Sequence, residues 1–124
     1  LFANGAMVYE GLEAAKQLAG EGIDLMVVNL HTVKPLDQEA VLAAARKTGR
    51  VITAEEHQAA GGMGSAVAEY LSSACPVPVV RHGVADEFGR SGAAQKVLEA
   101  YALTTEGIVD KVRQAGSIKH ALTL

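Results

Sequence analysis

Apolar positions along the chain follow two rhythms, short near-continuous runs and longer stretches with an apolar residue every three or four positions. The opening Leu1-Phe2-Ala3-Asn4-Gly5 reads as the end of a buried strand already under way, and with no initiator Met the chain is expected to be a fragment. Val8, Leu12, Ala15 and Ala19 then recur at steps of four, three and four, which predicts one stripe of a helix ending near Gly20 and Gly22. Residues 25–30 form an almost uninterrupted apolar run, the pattern of a strand covered on both faces, which favours parallel pairing. Asp37 is placed to cap a second helix, with Leu36 and Val41 able to close a hydrophobic staple and Arg46 and Lys47 in the last turn before Gly49.

Residues 50–55 give a third strand, and Gly61-Gly62-Met63-Gly64 opens a helix through about Ser73. Residues 78–81 give a fourth strand, with Pro78 at its start, where a missing amide donor matters least. A polar loop over 84–92 is expected to bury Phe88 between glycine-enabled turns, and Ser91 is placed to cap the short helix marked by Val97, Leu98 and Tyr101. Thr104 caps a final helix carrying Ile108, Val109 and Val112, with Gly116 suited to its end. The expected organisation is one α/β domain over residues 1–116 and a tail over 117–124. Strands alternating with helices imply right-handed crossovers and three layers, α/β/α, around a mostly parallel sheet.

Composition narrows the picture. A length of 124 residues with 49% hydrophobic content suits one domain with its own core and leaves no room for two. The net charge is −3 and neither sign clusters, which argues against a nucleic-acid partner. Cys75 stands alone, so no internal disulfide framework is possible; it reads as a small buried hydrophobe, and the expected compartment is the cytoplasm. No apolar stretch approaches the roughly 20 residues of a membrane span, so no membrane partner is expected.

In an open parallel sheet, ligands collect beyond the carboxyl ends of the strands. The richest such segment is Glu55-Glu56-His57 followed by Gly61-Gly62-Met63-Gly64-Ser65, two carboxylates and an imidazole just ahead of a helix amino terminus whose amides suit an anion. Adjacent residues on a strand point to opposite sides, which weakens an acid-base pairing of Glu55 with Glu56. The P-loop lysine is absent after the glycines, which weakens a phosphate site. The plainer reading has the glycines permitting close chain approach and the charges meeting another domain or subunit. Lys34, extended before Pro35, suits a phosphate, a partner carboxylate or solvent. His31, His57, His82 and His120 are too scattered for a spacing-defined metal motif, so no structural zinc is expected. The candidate interface or anion contacts are therefore Lys34, Glu56, His57, Gly61, Gly62, Gly64 and Ser65, with no catalytic residue assigned.

Val33-Lys34-Pro35-Leu36-Asp37, then Thr53-Ala54-Glu55-Glu56-His57, then Gly61-Gly62-Met63-Gly64-Ser65 occur in an order that resembles the C-terminal domain shared by transketolases, deoxyxylulose-phosphate synthases and the beta subunits of 2-oxo-acid dehydrogenases. Asp86-Glu87-Phe88-Gly89-Arg90-Ser91-Gly92, followed by Tyr101-Ala102-Leu103-Thr104 and Gly107-Ile108-Val109, looks most like transketolase. The resemblance implies strand order 2-1-3-4, with an antiparallel edge strand that would precede Leu1, its absence exposing the edge around Val27. It also implies a full enzyme, a homodimer, that moves a two-carbon ketol unit between sugar phosphates using thiamine diphosphate and magnesium. The family's Gly-Asp-Gly cofactor motif does not occur in this chain, and its C-terminal domain does not normally supply the activating glutamate. The resemblance thus implies a structural, dimer-supporting domain that binds no cofactor and is inactive alone. Alternatives are the same domain of a synthase or dehydrogenase beta subunit, or a stand-alone anion-binding regulatory module.

Overall fold

The structure, a computed structural model, describes residues 1–118. A four-stranded sheet, β1 (Phe2–Ala3), β2 (Val28–Asn29), β3 (Val51–Gln58) and β4 (Val79–Val84), runs in the order β2-β1-β3-β4, and every pairing is parallel. The helices are α1 (Met7–Ala19), α2 (Gln38–Thr48), α3 (Met63–Ala74), α4 (Ala94–Ala100) and α5 (Thr105–Ser117). Side chains of α1 and α5 pack with Ile52, Ala54 and Val80 on one face of the sheet. Those of α2 and α3 pack with Phe2 and Val51 on the other. The expected three-layer α/β/α architecture and the 2-1-3-4 order are both present.

The helix signals act as read at three ends. Asp37 Oδ1 accepts from the Ala40 amide at 3.0 Å, supplying one of the partners that a helix start lacks. Gly49 closes α2 in the left-handed region at φ 71°, a conformation that costs glycine little. Thr104 Oγ1 accepts from the Gly107 amide at the start of α5. That helix runs through Gly116 to Ser117, one residue past the expected stop. Of the expected tail, residues 119–124 lie outside the described residues.

Other expectations are corrected. The buried face of α1 is Met7, Gly11, Ala14 and Leu18, while Leu12 is exposed and Val8 half-buried. This stripe has the same four-three-four spacing as the expected one, rotated by one residue, or ~100°. Gly11 favours the observed stripe, because a Cβ there would lie 2.6 Å from Leu1 Cδ2, so the helix packs closely on the Leu1 side chain just ahead of β1. β2 is shorter than its apolar run, since β1 offers it pairing positions only at Phe2 and Ala3. As an edge strand it leaves residues 25–28 half-buried, not sealed on both faces. β3 and β4 each run three residues past the expected end, with Gly83 letting the two backbones close up: a Cβ there would lie 2.7 Å from the His57 carbonyl oxygen.

Ser91 caps nothing; α4 starts after Ala93, without a side-chain cap. Phe88, expected inside, is 98% exposed. Val97, Leu98 and Tyr101 are half-buried instead, and Leu98 and Tyr101 pack on the α1–α5 core.

Candidate functional site

The carboxyl ends of β3 and β4 meet the start of α3, and Glu55 is the centre of that junction. Strand alternation turns Thr53 and Glu55 inward to the α3 side and Glu56 away from it; Glu56 and His57 are both exposed, where the pairing of β3 with β4 becomes irregular between Ala54 and Gln58. Glu55, only 1% exposed, accepts from the Met63 amide through Oε2 at 2.6 Å and from the Gly64 amide through Oε1 at 2.9 Å. The partial positive charge of a helix amino terminus favours an anion, and here the chain supplies that anion itself.

Gly62 and Gly64 make the approach possible. A Cβ on Gly62 would collide with Glu55 Oε2 and come within 2.9 Å of the Gln58 carbonyl; one on Gly64 would collide with Thr53 Oγ1. Gly61 takes φ 83° and donates its amide to Ser65 Oγ at 2.8 Å. The Ser65 hydroxyl donates in turn to the Ala59 carbonyl at 3.2 Å. Arg81 Nη1 donates to that carbonyl and to Ser65 Oγ, each at 3.0 Å. Thr53 Oγ1 is the one buried side-chain polar atom among the described residues without a partner.

Of the sequence candidates, Gly61, Gly62, Gly64 and Ser65 are brought together in this closed junction. Glu56 lies over the other side of β3, its Oε2 3.3 Å from where a Gly5 Cβ would stand. Lys34, Glu56 and His57 are exposed and form no hydrogen bond or ion pair through their side chains with described residues. Lys34 sits in the turn before α2. Among the described residues, no group of three or more His, Cys, Asp and Glu is arranged to hold a metal ion, and no helix is long and apolar enough to cross a membrane. Cys75 is free and half-buried.

The residue that sequence reasoning passed over is Glu55 as the internal anion. The available signal was its position two residues after Thr53, on the same inward face. His82 was also missed. It is buried, and its Nε2–H donates to the Ala102 carbonyl at 2.8 Å, tying β4 to the turn between α4 and α5. Burial pushes its pKa below the usual value, with the nearby Lys111 charge adding to the shift and the hydrogen bond opposing it.

An unfolded histidine titrates near ~6.5, so just below that pH the unfolded chain binds more protons than the native one, and native stability falls with acidification. Melting temperature is therefore expected to drop between about pH 7.5 and pH 5, and to drop less in His82→Gln, whose amide keeps a donor for Ala102 but takes no proton. An equal drop in both proteins would remove His82 as the cause.

Residues 1–108 match the family described as Transketolase, C-terminal domain. The chain is 52% identical over 109 residues to the 6-deoxy-6-sulfo-D-fructose transketolase subunit SqwH of Clostridium sp. (strain MSTE9), covering 88% of this chain and 34% of that protein. It is 44% identical over 114 residues to the 1-deoxy-D-xylulose-5-phosphate synthase of Syntrophotalea carbinolica, covering 91% of this chain and 18% of that one. A solved structure titled "Split gene transketolase, inactive beta4 tetramer" superposes with a TM-score of 0.91 at 49% identity, over 96% of this chain and 39% of that chain. This chain thus spans about a third or less of the two curated relatives, 34% and 18%.

Proposed function

The chain belongs to the transketolase C-terminal domain family, and from that premise we propose that it is the structural, dimer-supporting domain of an enzyme that transfers a two-carbon ketol unit between sugar phosphates. The observation that carries this reading is the Glu55 carboxylate seated on the Met63 and Gly64 amides. In a doubly wound fold such a helix start, beyond the carboxyl end of a strand, is where a phosphate group would sit. Here the place is taken by a side chain, and a second anion beside it would meet charge repulsion.

Thiamine diphosphate requires donors for its phosphates and oxygen ligands for its metal. The junction at Glu55 has its amides committed, and the described residues offer no metal-holding cluster. The described residues do not fit the cofactor, whose chemistry belongs, in this reading, to the rest of the enzyme. The same reading makes the isolated chain inactive and the complete enzyme a cytoplasmic homodimer. The ketol-transferring branch is favoured by the identity of 52% to a transketolase subunit against 44% to a synthase.

Two measurements test the proposal. The complete enzyme is expected to move a ketol unit from a ketose phosphate to an aldose phosphate, while the chain alone does not. Calorimetric titration of the chain with thiamine diphosphate and magnesium is expected to give no binding heat. A complete enzyme that uses pyruvate as donor and ignores ketose phosphates would move the assignment to the synthase branch.

A further inference from the structure

Phe88 is 98% exposed, yet the backbone on both sides of it is held in place. Gln58 Nε2 donates to the Glu87 carbonyl, and the Tyr101 hydroxyl donates to the carbonyl of Phe88 itself, both at 3.0 Å. Arg90 reaches the Glu87 carboxylate at 3.4 Å and lies 5.4 Å from the centre of the Tyr101 ring. A loop that needs a phenylalanine for its own packing buries it, because an aromatic side chain has some 150–250 Å² to remove from water. This loop instead uses its hydrogen bonds to fix the main chain and turns the ring outward.

The position of the loop adds to this. The Ala59 amide donates to the Val84 carbonyl at 2.8 Å, so the loop leaves the carboxyl rim of the sheet beside the end of β3. Asp86 and Glu87, the two residues before Phe88, stand exposed, and Arg90 offsets Glu87, so Asp86 leaves the segment beside Phe88 with a net negative charge. In the two curated relatives, the matching segment is 34% and 18% of the protein, so most of each polypeptide lies outside it.

We infer that Phe88 is the anchor by which this domain docks on the remainder of its enzyme, entering an apolar recess edged by lysine or arginine. This rests on the reading that the chain is one part of a larger enzyme. A main chain fixed before contact lowers the ordering cost of docking. A single aromatic in a recess carries a disproportionate share of interface energy.

The chain has no tryptophan, so Phe88→Trp introduces one reporter at the loop. Its fluorescence is expected to be freely quenched by acrylamide in the chain alone and shielded several-fold in the complete enzyme, measured as the difference from the parent enzyme. In the complete enzyme, Phe88→Asp is expected to speed amide exchange over residues 85–92 by about 30-fold, the loss typical of a truncated anchor. The same substitution leaves the melting temperature of the isolated chain unchanged. An indole as open in the complete enzyme as in the chain alone, or exchange unaltered by Phe88→Asp, overturns the anchor. Shielding in the chain alone that grows with concentration assigns the site to a second copy and overturns the occupant. Sedimentation of the parent protein from its source separates the two levels: a chain found free of any other domain or subunit sinks the functional reading, whereas an assembled enzyme with an open position 88 sinks only the anchor.

Discussion

Replacing Glu55 with alanine is expected to destabilise the chain by about 4 kcal/mol, from two charge-assisted hydrogen bonds lost and two buried amides stranded at roughly 2 kcal/mol each. That is a large share of the ~5–15 kcal/mol that holds an ordinary domain together. Both carboxylate oxygens are used, Oε2 on Met63 and Oε1 on Gly64, so neither bond substitutes for the other. Glu55→Gln keeps one acceptor but turns an NH2 group toward the second amide, and is expected to cost about 2 kcal/mol. Urea denaturation of the three proteins checks the order. A loss below about 1 kcal/mol for Glu55→Ala would mean that water replaces the carboxylate easily and that the junction is not closed.

Gly107→Ala is expected to be nearly as damaging, at about 3 kcal/mol. The added Cβ would collide with the Ala102 carbonyl oxygen and stand 2.9 Å from its carbon and 3.2 Å from His82 Nε2. Two of those three atoms are backbone, which cannot swing aside as a flexible side chain would. The turn is already constrained, with Ala102 at φ 54° and its carbonyl held by His82. The same helix contains its own control: a Cβ on Gly116 meets nothing within 4 Å. Gly116→Ala is expected to gain up to about 1 kcal/mol from helix propensity. Thermal or urea melts that place the two variants within error of each other would show that the Ala102 turn yields freely.

The architecture was legible because periodicity, caps and glycine stops agreed across the chain, as at Asp37, Gly49 and Thr104. What periodicity could not settle was the rotation of α1. Two stripes share its spacing, and the observed one is favoured by Gly11 meeting Leu1, a contact from outside the helix. The fate of Phe88 was misread for a related reason: its type predicts burial, but whether a loop folds its ring inward depends on partners such as Gln58 and Tyr101. At the candidate site, the sequence placed anion-favouring amides beside carboxylates without revealing that one carboxylate occupies them. That followed only from strand alternation carried through Thr53 to Glu55, together with glycines small enough to let the chain close.

The central claim, that this domain holds structure and contacts while the cofactor is bound elsewhere, is tested most directly by following the Met63 and Gly64 amides by NMR as thiamine diphosphate and magnesium are titrated into the chain. The expected result is resonances that do not move at any concentration used, because both amides remain on Glu55. Saturable shifts confined to residues 61–65 would contradict it, since they would mean that the diphosphate displaces Glu55 from the start of α3.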